Sequence, residues 1–232
     1  RMPKSYLHRE PACQRAERNY FDPYLQVASR LRALTQMGHA CDKIELIILG
    51  GSWTDYPESY QTWFMAELFR ALNEAPASSE ELRVRRDRYR EVGIDGRDEV
   101  LEAQTCEVQT AVNEGTIDYN DAIVKLYGAK SAWGRVAAWQ AASFDELFAQ
   151  QRINEKAVHR VVGLVVETRP ETLDAPTLAR LRALGCTKVQ IGVQSLRPEV
   201  LALNNRPVDE TALRRAFELL RVFGFKIHTH FM

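Results

Sequence analysis

Two histidines at alternate positions, His228 and His230 in "FKIHTHFM", fall on one face of an extended segment and have the spacing of an HxH metal pair. Barrel hydrolases hold a divalent ion in this way, but they need further ligands that no other motif here supplies. Taken singly, each histidine fits a hydrogen-bonded interior side chain better. Glu167 closes the apolar run "VVGLVV", where a carboxylate buried without a partner is costly. It either binds a ligand's amine or hydroxyl or pairs with Arg169 or Lys188, and its position favours neither. Gly50-Gly51-Ser52 ends another apolar run. Backbone without Cβ atoms lets a ligand approach closely, although a tight turn uses the same residues. In "CTKVQIGVQSL", Val189, Ile191 and Val193 alternate with Gln190, Gly192 and Gln194, so an apparent strand carries a polar face that ends near Ser195.

Other chemistry is less well supported. Cys13, Cys41, Cys106 and Cys186 are scattered, form no CxxC pair, and read as ordinary reduced thiols. Cys13 and Cys186 have no adjacent base, which argues against nucleophilic catalysis. "RVRRDRYR", Arg83 to Arg90, holds five arginines that could meet phosphates, but Glu80, Glu81, Asp87 and Glu91 flank or interrupt them. A solvated helix face is the favoured interpretation.

The chain has 232 residues, 45% hydrophobic and 27% charged, with 31 basic side chains against 31 acidic ones. That is enough material for one sizeable core, and it provides no global field toward nucleic acid or anionic lipid. No run approaches the roughly 20 apolar residues of a membrane span, and the start lacks the apolar core of a signal peptide. A cytoplasmic protein without membrane contact is expected.

The candidate residues sit on a repeated unit in which an amphipathic helix ends at a glycine and a short apolar strand follows. The first helix starts with Asp22 as N-cap and Pro23, carries Leu25, Ala28, Leu31 and Leu34 on one face, stops at Gly38 and leads into "KIELIILGG". The second follows Asp174, carries Leu178, Leu181 and Leu184, stops at Gly185 and leads into "TKVQIGVQS"; the third carries Leu213, Phe217 and Leu220 and stops at Gly224. A further helix runs from Pro57 to Asn73, with Tyr60, Phe64 and Leu68 on one face. Strands alternating with helices predict a parallel sheet with right-handed crossovers. Four strands fall short of the eight in a barrel of about 250 residues, so an open or partial barrel is expected. Between about 75 and 157 the rhythm stops, and a mostly helical insertion is expected, with Trp133 and Trp139 packing it onto the body.

Taken in order, "FDPYLQ", "GHACDKIELIILGGSW", "VVGLVVETRP", "GCTKVQIGVQS", "NNR" and "GFKIHTHFM" resemble the radical SAM domain of the Elongator catalytic subunit family, in its bacterial and archaeal stand-alone form. The resemblance covers nearly the whole chain outside the insertion. It implies a partial parallel (β/α) radical SAM barrel, an α/β fold, in a tRNA-modifying acyltransferase that forms 5-carboxymethyluridine at the wobble position. The implied cofactors and substrate are S-adenosylmethionine, a [4Fe-4S] cluster and acetyl-CoA. Implied partners are tRNA, with other Elongator-type subunits or self-association.

Residue by residue, the resemblance assigns Lys43 to acetyl-CoA. It assigns Gly50, Gly51 and Ser52 to S-adenosylmethionine, and places Glu167, Arg169, Gln194, Ser195, His228 and His230 on strands lining the same pocket. On this view Gly192 leaves room for a ligand. Arg1, Lys4, Arg15 and Arg18 fall where the family presents positive surface to tRNA. The family's cluster cysteines precede the segment matching "RMPKSYL", and none of the four cysteines here replaces them. Residues 1–232 are therefore expected to be the core region of a larger chain, inactive alone, with the cluster segment and an acetyltransferase domain outside it. Where the family reads "NRGH", this chain has Asn205-Arg206-Pro207-Val208. The rival expectations are a cluster-less module that binds tRNA or acetyl-CoA without catalysis, and a metal-dependent barrel hydrolase centred on His228 and His230.

Overall fold

Four short runs rich in β-branched residues, each reached through a helix, form one sheet in which every neighbouring pair is parallel. The strands are β1 (Lys43–Ile48), β2 (Arg160–Thr168), β3 (Lys188–Gln194) and β4 (Lys226–Phe231), arranged in chain order. The structure, a computed structural model, describes residues 11–49, 51–204 and 209–231. Among them the sheet is open, with β1 and β4 as its edges.

Helices α1 (Pro11–Arg18) and α2 (Pro23–Gln36) precede β1, and α3 (Glu58–Asn73) follows it. The connection from α3 to β2 is long and helical: α4 (Ser79–Glu91), α5 (Asp98–Asn113), α6 (Tyr119–Tyr127), α7 (Ala132–Val136) and α8 (Phe144–Asn154). Helix α9 (Ala175–Ala183) joins β2 to β3, and α10 (Pro198–Leu203) and α11 (Glu210–Val222) lie between β3 and β4. No helix among the described residues is long and apolar enough to cross a membrane.

The repeated unit has a uniform local cause. Asp22, Asp174 and Asp209 each accept a backbone N–H in the first turn of their helix, at 2.9, 2.8 and 2.7 Å. At the other end Gly38, Gly185 and Gly224 adopt positive φ, the conformation that lets the chain leave a helix and enter a strand at once.

Alternation then sorts the strands into two faces. Leu46, Ile48, Leu164, Val166, Val189, Ile191 and Val193 pack with Leu178, Leu181, Leu184, Leu213 and Leu220 from α9 and α11 and with Met65 and Phe69 from α3. Glu45, Ile47, Glu167, Lys188, Gln190, Gly192, His228 and His230 therefore belong to the opposite face. The register slips beside Ile44, where Ile44 matches Val161 and Glu45 matches Gly163, so Val162 has no opposite number.

Helix α4 is fastened to α2 and α3 rather than merely solvated. Tyr20 stacks on Tyr89 at 5.1 Å, and Tyr89 donates to the buried Asp22 carboxylate at 2.7 Å. Arg85 bonds Glu67 at 2.6 Å while its guanidinium lies 3.7 Å from the Tyr24 ring centroid. Trp133 meets Phe21 edge-on and Trp139 meets Tyr89. The solvated-face expectation for Arg83–Arg90 holds for Arg83, which pairs with Glu80 and Asp87. It fails for Arg85, because the buried Glu67 carboxylate needs a cation.

Candidate functional site

The carboxyl ends of the strands gather most of the residues with chemical potential. The chain leaves β1 through Gly51, at φ +73°, and Ser52, a half-buried residue that opens a 3-10 turn over Trp53–Asp55. Thr54 of that turn sits 2.8 Å from the Thr168 hydroxyl and 3.0 Å from Thr172, and Thr168 and Thr172 are 2.9 Å apart. This closed triangle of hydroxyls ties the exit of β1 to the exit of β2. Arg169 adds a second tie, donating to Asp55 at 3.1 Å and lying 3.6 Å from Glu171. Sequence inspection missed Thr54, Asp55, Thr168 and Thr172, because an isolated Thr or Asp beside a turn carries no signal of its own.

Glu167 is half-buried and opposite Gln190 in the register. Neither expected pairing forms: Arg169 turns to Asp55 and Glu171, and Lys188 bonds Glu45 at 2.7 Å. Among the described residues the Glu167 carboxylate has no ion-pair or hydrogen-bond partner.

Gln194 has φ +66°, at the point where the β3–β4 register slips. Its carboxamide folds back over Gly192, so a Cβ there would stand 2.8 Å from Gln194 Nε2. The space above Gly192 is thus filled by a side chain of the same strand, which corrects the expectation that it is vacant for a ligand. Ser195 Oγ accepts the Arg197 N–H at 3.1 Å.

His228 and His230 do share a face, their ring centroids 5.0 Å apart and nearly perpendicular. The expectation of hydrogen-bonded interior side chains is corrected: His228 is exposed, His230 half-buried, and neither is hydrogen-bonded among the described residues. The reason is that among the described residues β4 is an edge strand whose polar face is uncovered. Among the described residues no three metal-ligating side chains come together, so the pair lacks the third ligand a barrel hydrolase requires.

The remaining candidates lie elsewhere. Lys43 is exposed at the amino end of β1, roughly 17 Å from the strand's other end at about 3.3 Å per residue. Arg15 and Arg18 are exposed on α1. Arg1, Lys4, Gly50 and Asn205–Val208 lie outside the described residues. The four cysteines are free, with Cys41 and Cys186 buried, and burial pushes the Cys186 thiol far up.

No family model matches the chain. It is 30% identical over 231 residues to the tRNA uridine(34) acetyltransferase of Methanocaldococcus infernus, covering 100% of this chain and 31% of that one. Against the tRNA uridine(34) acetyltransferase of Dehalococcoides mccartyi the identity is 30%, over 99% of this chain and 36% of the relative. The chain is a homologue of the Elongator protein 3 family. Elongator complex protein 3 of Schizosaccharomyces pombe is 27% identical over 99% of this chain and 30% of its own length. The fold agrees: the solved structure of archaeal Methanocaldococcus infernus Elp3 with an N-terminus deletion (1–46) matches with TM-score 0.59 and 29% identity, over 92% of this chain and 34% of that one. The chain spans about a third of the length of the curated Elongator-family relatives it matches.

Proposed function

We propose that this chain is the central part of a tRNA wobble-uridine acyltransferase that forms 5-carboxymethyluridine from acetyl-CoA by radical S-adenosylmethionine chemistry. The full-length match to relatives named tRNA uridine(34) acetyltransferase carries this reading. On it, the four parallel strands are part of a (β/α) barrel, and their carboxyl ends take S-adenosylmethionine, as ligands in parallel α/β folds collect there.

The residues present fit that cofactor. Nothing lies within 4 Å of where a Gly51 side chain would be, so bare backbone is open to a ligand. The Glu167 carboxylate, unpaired among the described residues, suits an amine, and Ser52, Arg169, Gln194, Ser195, His228 and His230 are the further polar groups on the same strands and their exits. S-adenosylmethionine bound beside a [4Fe-4S] cluster supplies the one-electron chemistry. This chain's own part is to hold the cofactor's polar groups in place. Its cysteines do not fit the cluster, two being buried and the others lying on α1 and α5. The cluster ligands belong to residues preceding Arg1. Lys43, with its exposed ammonium, is the acetyl-CoA contact; Arg1, Lys4, Arg15 and Arg18 face tRNA. The acetyltransferase domain lies outside this segment, the compartment is the cytoplasm, and Elongator-type subunits or a second copy are the protein partners.

The test is to incubate the intact protein with tRNA, acetyl-CoA and S-adenosylmethionine under reducing conditions and analyse the wobble nucleoside by mass spectrometry. Formation of 5-carboxymethyluridine, with tRNA-stimulated acetyl-CoA hydrolysis that Lys43→Ala abolishes without altering the circular dichroism, is the expected result. Binding of tRNA or acetyl-CoA with no modified nucleoside would assign the protein instead to a non-catalytic module.

A further inference from the structure

A polar cleft of about 260 Å³ lies where α4 and the segment around Trp139 close against α2 and α3, away from the strand ends. Its floor is made by Asp22, Trp63 and Tyr89, all buried. The charges on its walls are unevenly satisfied. Glu67 is held by Arg70 at 2.9 Å and Arg85 at 2.6 Å. Asp22 accepts from Tyr89 and from the Leu25 N–H, and Glu146 accepts from the Ser143 N–H and hydroxyl. Every carboxylate on the lining is therefore already bonded.

Two of the three guanidiniums keep donors to spare. Arg88 lies 5.1 Å from the Trp139 ring centroid and pairs with no carboxylate among the described residues. Arg70 sets its buried Nε 2.9 Å from Glu67 Oε1, and its two terminal nitrogens make no hydrogen bond among the described residues. A cleft whose carboxylates already face donors, while two guanidiniums keep N–H groups to spare, favours an anion rich in oxygen acceptors. Two of the guanidiniums are already oriented, Arg85 by the Tyr24 ring and Glu67, Arg88 by Trp139, so little ordering is left for a ligand to impose.

We infer that this cleft binds a small phosphorylated metabolite, its phosphate oxygens taking the free N–H groups of Arg70 and Arg88. The recessed floor and limited volume suit a free phosphomonoester. The site stands apart from the proposed tRNA chemistry and is tested without it.

Inorganic phosphate and adenosine monophosphate are titrated into the intact protein against sodium chloride at matched ionic strength, reading tryptophan fluorescence and melting temperature. A saturable response at least tenfold weaker in Arg88→Ala, and unchanged in Arg83→Ala on the solvent side of α4, is expected. Tighter binding of adenosine monophosphate than of phosphate supports the site with a nucleotide as its source, and equal binding supports it with the bare anion. No saturable response beyond that to chloride, or equal binding by Arg88→Ala and the parent with both folded by circular dichroism, overturns it.

Discussion

Lys188 Nζ donates to Glu45 Oε1 at 2.7 Å across an intervening strand, over Gly163 of β2. The two residues belong to β1 and β3, and the pair forms because the strand between them has no side chain at that level. A Cβ at Gly163 would stand 3.1 Å from Glu45 Cγ. The bridge crosses the polar face of the sheet and takes Lys188 away from Glu167, which leaves Glu167 available at the rim.

Valine is favoured in strands, yet Gly163→Val should destabilise by about 1–3 kcal/mol, since its methyls enter the volume of the Glu45 side chain. Both partners are partly exposed, so a double-mutant cycle on Glu45→Gln and Lys188→Met should return under about 1 kcal/mol, shrinking with salt. Urea unfolding at two ionic strengths checks both. A neutral Gly163→Val would mean that the bridge does not occupy that space.

Asp22 supplies the pH dependence. Burial pushes its carboxyl above the ordinary 3.8, against the opposing bonds from Tyr89 and the Leu25 N–H. The folded state then holds the proton more tightly than the unfolded state. Its contribution to stability is complete below 3.8 and is lost as pH rises through the raised folded value. Asp22→Asn keeps an acceptor for the Leu25 N–H and turns an amide N–H toward the Tyr89 hydroxyl, which then accepts instead of donating; it does not titrate, so its stability should decline less over that range. Chemical denaturation from acid to neutral pH compares the two; parallel curves would remove Asp22 as the source.

Arg85→Ala leaves Glu67 with Arg70 alone and removes the cation from the Tyr24 ring. A loss of about 2 kcal/mol is expected, between that of an exposed and a fully buried pair. Because Arg85 fastens α4 to α2 and α3, cleavage within residues 79–154 should accelerate in limited proteolysis. Unchanged cleavage would show that the stacked tyrosines suffice.

Thr168→Val removes one corner of the hydroxyl triangle while Thr54 and Thr172 keep their contact at 3.0 Å. A cost of about 1 kcal/mol is expected. Hydrogen exchange should rise at residues 52–55, which the triangle holds against β2, more than in α9. Uniform exchange across both would argue against a local tie.

Much of the fold was legible because it rests on local rules. Asp-capped starts, glycine stops and strict alternation in "KVQIGVQ" marked the helices, the strands and the buried face of β3 correctly. The candidate site was legible only as a set of polar strand ends. Glu167 could not be resolved from sequence, since its two suggested partners were each claimed by another residue. Gly192 misled for a related reason: the open space a glycine implies was taken by Gln194, whose positive φ no pattern announced. Taken singly, His228 fitted an interior side chain, but among the described residues β4 is an edge.

By itself, the sequence determined which segments became strands and helices and which face of each was apolar, because capping, positive-φ glycines and side-chain alternation act within a few residues. The tertiary structure alone decided the partners. Thr54 and Thr168 lie 114 positions apart, and Glu45 and Lys188 lie 143 apart. Such pairs depend on strand register and on how one helix docks against another, and those are settled by packing the whole core at once.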